Sequence, residues 1–187
     1  MAVTRRDALG GLGLALVAGM IPRVAQATVA RGITLEALSK RSEHILVGTP
    51  LASSVRYETI GGQRRIVTDT RVRIEETLAQ SAASDSEILV RTLGGVLDGV
   101  GELVHGEAEL VLNERSVVFL RKRADGILHF QGMAQGHYPL SREASRSLLQ
   151  ASPKLPEMLN LKDTAVARLN GREVGEARRL ILKALAR

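Results

Sequence analysis

Residues 66–75, IVTDTRVRIE, carry the clearest strand pattern in this sequence. Their even-numbered positions are all β-branched, whereas positions 69, 71, 73 and 75 are all charged. Side chains of a β-strand point alternately to opposite faces, and β-branched residues favour strands. The pattern therefore predicts a strand with one face on a core and one face in water, and we interpret the charged face as a solvated surface.

Strand-like segments also lie on both sides of residues 66–75, separated by turn signals such as Gly61-Gly62. In chain order they are residues 44–57, 88–93, 103–112, 116–120 and 127–133. Pro50 indicates a bulge or an edge position in the first of them, because proline cannot donate a hydrogen bond to a neighbouring strand. Short strands with repeated turn signals predict an all-β fold, which we expect to be an OB-like β-barrel of about six strands.

Helical patterns flank the predicted barrel. Thr34 is a suitable N-cap for a short helix within residues 32–42, and Ser141 is one for a helix that ends near residue 150. Residues 172–187 have apolar side chains at helical spacing and basic residues near the end, which is typical of an amphipathic helix. Two alternatives stay open for this helix: it packs on the barrel, or it contacts a partner or a membrane surface.

The N-terminal residues have the three-part pattern of a secretory signal. A charged start and an apolar run precede Ala25-Gln26-Ala27, a small-x-small cleavage site. The apolar run is shorter than the roughly 18 residues that span a bilayer, so we expect no stable membrane span after cleavage. Residues 4–9, TRRDAL, resemble a twin-arginine export motif. We expect a periplasmic or secreted protein that uses this route, with the general secretory route as the alternative.

These boundaries divide the chain into three predicted parts. They are a signal peptide at residues 1–27, a β-barrel domain at residues 28–140 and a helical C-terminal extension at residues 141–187.

The composition excludes several classes of site. The chain has no cysteine, which excludes disulfides, thiolate metal sites and a cysteine nucleophile. It has two Phe, two Tyr and no Trp, whereas OB folds hold single-stranded nucleic acids by stacking bases on aromatic side chains. Its net charge of +6 includes three arginines of the predicted signal peptide. We therefore expect no nucleic-acid partner, and no cofactor because the chain has no cofactor motif.

Residues 92–106, TLGGVLDGVGELVHG, hold five glycines between two predicted strands. Glycine permits positive φ and the close approach of another backbone or a ligand. The spacing matches neither the P-loop nor the dinucleotide-binding pattern. We interpret the segment as a shaped barrel loop, with anion binding by backbone N–H groups as the alternative. The candidate binding residues are Gly94, Gly95, Gly99 and Gly101, with Gln135 and His137 from a second segment rich in small residues.

His105, Glu107 and Glu109 occupy alternate positions of the predicted strand at residues 103–112. Alternate residues of a strand share a face, so an imidazole and two carboxylates would converge on a divalent metal. His129 and His137 would complete the site after folding. The alternative is an ordinary solvated strand face, because the spacing is not that of a zinc motif.

A family resemblance adds to this interpretation. The segments that carry it are residues 47–49 (VGT), 68–75, 94–95 (GG), 106, 114–115 (ER), 118–120 (VFL) and 132–136 (GMAQG). Together they resemble a family of secreted bacterial proteins without an assigned activity. Their layout is also similar to netrin-like and metalloproteinase-inhibitor modules, and this similarity implies an OB-type barrel. Such inhibitors chelate zinc through an N-terminal cysteine, which this chain lacks.

These observations predict a function without catalysis. We expect an exported periplasmic module that binds, and contacts or modulates, another secreted protein or peptide. The alternative is a metal-assisted hydrolase that uses His105, Glu107 and His137. The sequence indicates no oligomeric state.

Overall fold

A computed structural model describes residues 29–80, 86–143 and 146–187 of the chain. The predicted signal peptide at residues 1–27 and its twin-arginine motif lie outside the described residues. Within these three ranges, no helix is both long enough and apolar enough to cross a membrane.

Strands make up most of the described structure. They are β1 (Ala30–Arg31), β2 (His44–Ile60), β3 (Gln63–Ala79), β4 (Glu87–Leu93), β5 (Gly95–Leu97), β6 (Val100–Glu102), β7 (Ser116–Lys122), β8 (Leu128–Phe130), β9 (His137–Glu143), β10 (Arg146–Leu149) and β11 (Met158–Leu159). The α-helices are α1 (Leu35–Arg41), α2 (Ala165–Leu169) and α3 (Val174–Leu185), and single turns of 3₁₀ helix lie at Met133–Gly136 and Leu161–Asp163.

In the described part of the chain, five strands close into a ring in the order β7-β2-β3-β4-β8, and β8 pairs again with β7. β4 and β8 are parallel, and the other neighbours in the ring are antiparallel. β9 and β10 continue the sheet from β7. The predicted all-β, OB-like barrel is therefore confirmed, together with its short N-terminal helix and its C-terminal helix, and the ring itself has five strands.

The ring buries apolar side chains on both of its faces. Leu46 of β2 and Val118 of β7 lie inside the ring, where they pack with side chains of β3, β4 and β8. Ile45 and Phe119, their neighbours in sequence, pack outside the ring in a second core that the helices cover. β2 and β7 therefore have continuous apolar runs because both of their faces are covered.

The C-terminal helix α3 packs on the barrel. Its Ala177, Ile181 and Ala184 are buried in the outer core, and their spacing of four and three residues places them on one helical face. The helix also contacts α1 and β3. Of the two alternatives that the sequence left open, the structure has the one in which this helix stabilises the barrel.

The helix predicted from Ser141 to about residue 150 is wrong. The chain forms the antiparallel strands β9 and β10 there, with Leu140 opposite Leu149. Tyr138 and Leu149 are buried in the outer core. Pairing with the edge of the sheet and burial of these side chains override the local helix signal. The predicted helical extension at residues 141–187 therefore begins as part of the sheet.

The strand predicted at residues 103–112 is also wrong. β6 ends at Glu102, and a turn follows in which the backbone N–H of Glu107 donates to the carbonyl of Val104 at 3.2 Å. Gly106 has a φ of 77° within this turn, and Ala108 then packs inside the ring. The segment is irregular because it turns into the inner core, so His105, Glu107 and Glu109 do not share a strand face.

Candidate functional site

The glycine-rich segment forms a short β-hairpin, which we call the glycine hairpin (residues 94–102). β5 and β6 pair antiparallel, with Gly95 opposite Glu102. Asp98 and Gly99 form its turn, with φ values of 51° and 76°. Two residues with positive φ are what a tight two-residue hairpin turn requires. The interpretation as a shaped loop of the barrel is therefore the one that the structure supports.

Gly94 and Gly95 permit the close packing of this hairpin. A Cβ atom on Gly94 would lie 2.6 Å from the carbonyl oxygen of Glu102, and one on Gly95 would lie 2.7 Å from Thr68 Oγ1. Gly99 and Gly101 have no such neighbours, because a Cβ on Gly101 would meet its nearest atom at 4.0 Å and one on Gly99 would meet nothing. Gly94 and Gly95 thus allow the backbone of the hairpin to pack closely against its neighbours, and Gly99 allows the positive φ of the turn.

Hydrogen bonds hold the glycine hairpin against β3. The backbone N–H of Gly94 donates to the carbonyl of Ile66 at 2.8 Å, and Thr68 Oγ1 donates to the carbonyl of Gly94 at 2.8 Å. The backbone N–H of Ile66 donates to the Glu102 carboxylate at 2.7 Å. This bond and the ion pair with Arg65 lower the pKa of Glu102. The hairpin is therefore fixed in place over one end of the ring.

A cavity of about 550 Å³, which we call the mouth cavity, lies between the glycine hairpin, strands β2 to β4 and residues 103–110. Hydroxyl side chains from the strands line one part of it. They are Ser53, Thr68, Thr70 and Thr92, which pair across strands as Ser53 with Thr70 and Thr68 with Thr92. They share the inner face with Val72, so the interior changes along β3 from apolar to hydroxyl-bearing. The volume is typical of ligand sites.

Glu107 is the distinctive charged group of the mouth cavity. Burial raises the pKa of its carboxyl group, although the backbone N–H groups of Ala108 and Leu93 and the charge of Arg123 act in the opposite direction. The other carboxylates of the cavity are paired, Glu102 with Arg65 and Glu109 with Lys154. None of the ion pairs among the described residues involves Glu107. Among the described residues, the cavity therefore contains one desolvated carboxyl group that forms no ion pair.

Exposed apolar side chains rim the mouth cavity. Leu103 is 72% exposed and Val96 is 70% exposed, and these are the largest exposed fractions of any large hydrophobic residue in the described ranges. Both line the cavity. Val100, on the neighbouring strand of the glycine hairpin, is 54% exposed. A group of exposed apolar side chains beside a concave site is typical of a contact surface.

The structure does not bring the predicted metal ligands together. His105 is exposed in a separate surface groove beside Pro153 and Pro156. Glu107 and Glu109 line the mouth cavity, where Glu109 forms an ion pair with Lys154 at 2.8 Å. Across the described ranges, no group of three or more His, Cys, Asp or Glu residues is arranged to hold a metal ion.

The other predicted binding residues have structural partners. Gln135 Oε1 accepts the backbone N–H of Ile33 at 2.8 Å, and its Nε2 donates to the carbonyl of Arg31 at 3.1 Å, so it anchors the segment that carries β1. His137 is buried, with its Nδ1 3.4 Å from Ser152 Oγ and its ring tilted by 59° against that of Phe130, at 5.3 Å between ring centroids. Burial lowers the pKa of His137 to about 4. Its imidazole is therefore neutral at pH 7 and belongs to the core.

A buried charge cluster on the outer face of the ring was missed by sequence reasoning. Arg91 is 2% exposed, and its Nε and Nη2 atoms donate to the two carboxylate oxygens of Asp69 at 2.6 and 2.8 Å. Arg91 also contacts Asp125, which pairs with His129 at 3.0 Å. The bonds from Arg91 lower the pKa of Asp69. The prediction of a solvated charged face on β3 is thus wrong at Asp69. The opposite charges of Asp69 and Arg91, which lie across from each other on β3 and β4, could have indicated this pair once the strand register was known.

No protein-family model, curated protein or solved structure matches this chain.

Proposed function

We propose that this protein is an exported, periplasmic binding module without catalytic activity, and that it contacts another secreted protein through the mouth cavity and its rim. The observation that carries this proposal is the position of Leu103 and Val96. These highly exposed apolar side chains both line the same cavity. Exposed apolar area is stabilised when a partner removes it from water.

The hydrogen bonds of the cavity support binding rather than nucleophilic chemistry. Thr68 Oγ1 donates to the carbonyl of Gly94, and Thr92 Oγ1 donates to the carbonyl of Thr68 at 3.5 Å. An activated nucleophile needs a neighbouring general base within hydrogen-bond reach. These two hydroxyls instead hold the backbone of the glycine hairpin and of β3, as expected of a fixed recognition surface.

Export is the part of the proposal that the sequence supports. The three-part leader and the TRRDAL motif at residues 4–9 favour the twin-arginine route to the periplasm. The similarity in layout to netrin-like modules belongs to the same proposal, and it is supported by the segments that carry it in the sequence.

Site-specific photo-crosslinking in intact cells tests the proposal. A photo-reactive amino acid replaces Leu103 in one variant and Val96 in a second, and Leu182 in the control, because Leu182 is an exposed leucine of α3 away from the cavity lining. We expect a discrete protein adduct in the periplasmic fraction from position 103 and none from position 182. The same adduct from both positions, or no adduct from positions 103 and 96, would contradict the proposal.

A further inference from the structure

The charges around the mouth cavity leave one group unpaired. Glu102 has Arg65, and Glu109 has Lys154, as ion-pair partners. The carboxylate of Glu107 accepts the backbone N–H groups of Ala108, at 3.3 Å, and of Leu93, and none of the ion pairs among the described residues includes it. A carboxylate removed from water is stabilised by an opposite charge within a few ångströms. Arg123 acts on Glu107 through its charge but forms no ion pair with it, so among the described residues no cation lies at ion-pair distance from this carboxylate.

The remaining lining defines what kind of cation fits. Near Glu107 the cavity has apolar side chains, including Leu93, Val104 and Leu110. The hydroxyls of Ser53 and Thr70 lie on the opposite strands. Apolar walls suit a hydrocarbon stem, whereas a cavity lined by a carboxylate and by hydroxyl groups suits a charged head with several N–H donors. A hydrated metal ion needs several converging oxygen ligands and matches this lining less well.

We infer that the mouth cavity binds the side chain of a lysine or arginine that the partner protein presents, with its charged head on Glu107. This inference rests on the proposed function, since the partner's backbone would lie against the exposed side chains of Leu103 and Val96. Lysine and arginine each have an alkyl stem that would reach from a rim contact to the half-buried carboxylate of Glu107. A free alkylamine shares the head-group chemistry but makes no use of the apolar rim.

Binding of short peptides measured by NMR tests the inference on the exported protein, purified after its signal has been processed. The probes are the capped tripeptides Leu-Lys-Leu, Leu-norleucine-Leu and Leu-Glu-Leu, together with n-butylammonium. We expect the lysine peptide to shift the amide signals of Leu93 and Ala108, which surround Glu107. We expect the norleucine and glutamate peptides to bind at least about tenfold more weakly, because a charge-assisted hydrogen bond is lost.

Glu107→Gln is the matched variant, because an amide oxygen still accepts the backbone N–H of Ala108. We expect this variant to bind the lysine peptide about tenfold or more weakly and to bind the norleucine peptide with unchanged affinity. Glu43→Gln, at an exposed glutamate that does not line the cavity, makes the same change of charge and should have no effect. If E107Q fails to fold, the comparison of lysine with norleucine on the unaltered protein still decides.

Each outcome has a defined meaning. Equal binding of the lysine and norleucine peptides would overturn the role of Glu107, and so would an unchanged affinity in E107Q. Binding of n-butylammonium as tight as that of the lysine peptide would overturn the assignment to a partner side chain and indicate a small-amine site. Crosslinks from position 103 without lysine selectivity would refute this inference alone. Lysine selectivity without crosslinks would refute the proposed function instead.

Discussion

Replacement of Gly95 by alanine tests whether the glycine hairpin is fixed by close packing. Gly95 has a φ of 140°, and a Cβ there would lie 2.7 Å from Thr68 Oγ1 and 3.1 Å from Val55 Cγ1. Positive φ costs an L-residue about 1–2 kcal/mol, and overpacking adds about 1–3 kcal/mol. Thr68 cannot move freely, because its hydroxyl donates to the carbonyl of Gly94 at 2.8 Å. We therefore expect Gly95→Ala to lower the free energy of unfolding by about 2–5 kcal/mol.

Two glycines of the same hairpin provide matched controls. A Cβ on Gly101 would have its nearest neighbour, Val96 Cγ2, at 4.0 Å, so Gly101→Ala should change stability by less than about 1 kcal/mol, in the stabilising direction. Gly99 has positive φ but open space around it. Gly99→Ala should therefore lower the free energy of unfolding only by the cost of positive φ in alanine, about 1–2 kcal/mol. Urea unfolding followed by circular dichroism measures the series. Equal losses for Gly95→Ala and Gly101→Ala would refute the argument.

Three further predictions concern the core and the buried charges. Ile181→Ala should lower the free energy of unfolding by about 2–5 kcal/mol, because the side chain is fully buried between α3 and the sheet. Leu182→Ala, at an exposed leucine of the same helix, is its control. Equal losses of stability in the two variants would mean that α3 does not pack as described. Asp69→Asn should lower the free energy of unfolding by about 3 kcal/mol, because Arg91 is left buried with a weakened partner. The folded-state pKa of Asp69 is lowered, so the stability that its carboxylate contributes is present above the ordinary aspartate pKa and is lost as the pH falls through the folded value. Denaturant titrations at several pH values measure this loss as a difference between the unaltered protein and D69N. A difference that does not change with pH would contradict the prediction. Glu107 has the opposite sign: its folded-state pKa is raised, so the unfolded state loses the proton first and stability falls as the pH rises past the ordinary glutamate range. Glu107→Gln should therefore gain stability over the unaltered protein as the pH rises from 4 to 7, whereas a constant difference would show that burial does not perturb this carboxyl group.

The sequence was sufficient for the regular part of the barrel, because period-two patterns report directly on sheet faces. The alternation in residues 66–75 predicted β3, and Pro50 predicted the register irregularity that lies between Pro50 and Ala52. The N-cap at Thr34 is confirmed, since its side chain accepts the backbone N–H of Ala37. These features depend on residues close in sequence, where local geometry determines the outcome.

What failed depended on contacts between distant residues. The pattern at residues 103–112 alternates like a strand, but the backbone that follows Glu102 turns inward and buries Ala108 in the ring. The charged face of β3 looked solvated because its sequence does not show Arg91, which lies opposite Asp69 on β4. Gln135 looked like a binding residue because its partners, Arg31 and Ile33, lie about a hundred positions earlier. Periodicity identifies a face, and tertiary structure decides what covers it.

The arrangement of the two cores explains why the mouth cavity is the best candidate site. The helices cover the outer face of β2 and β7 with apolar side chains, and Arg91 pairs with Asp69 where charged groups are buried on the outer face of β3 and β4. The buried groups on both outer faces thus have partners within the chain. Inside the ring, the apolar packing of Val72 and Val90 ends at Thr70 and Thr92, which lie on the same two strands and line the mouth cavity. The carboxyl group of Glu107 lies in this cavity and is partly desolvated there. Such a group destabilises the folded chain above the ordinary glutamate pKa unless a cation reaches it. A partner side chain that supplies the cation would offset the desolvation cost of the Glu107 carboxylate. The free energy recovered in this way would contribute to binding.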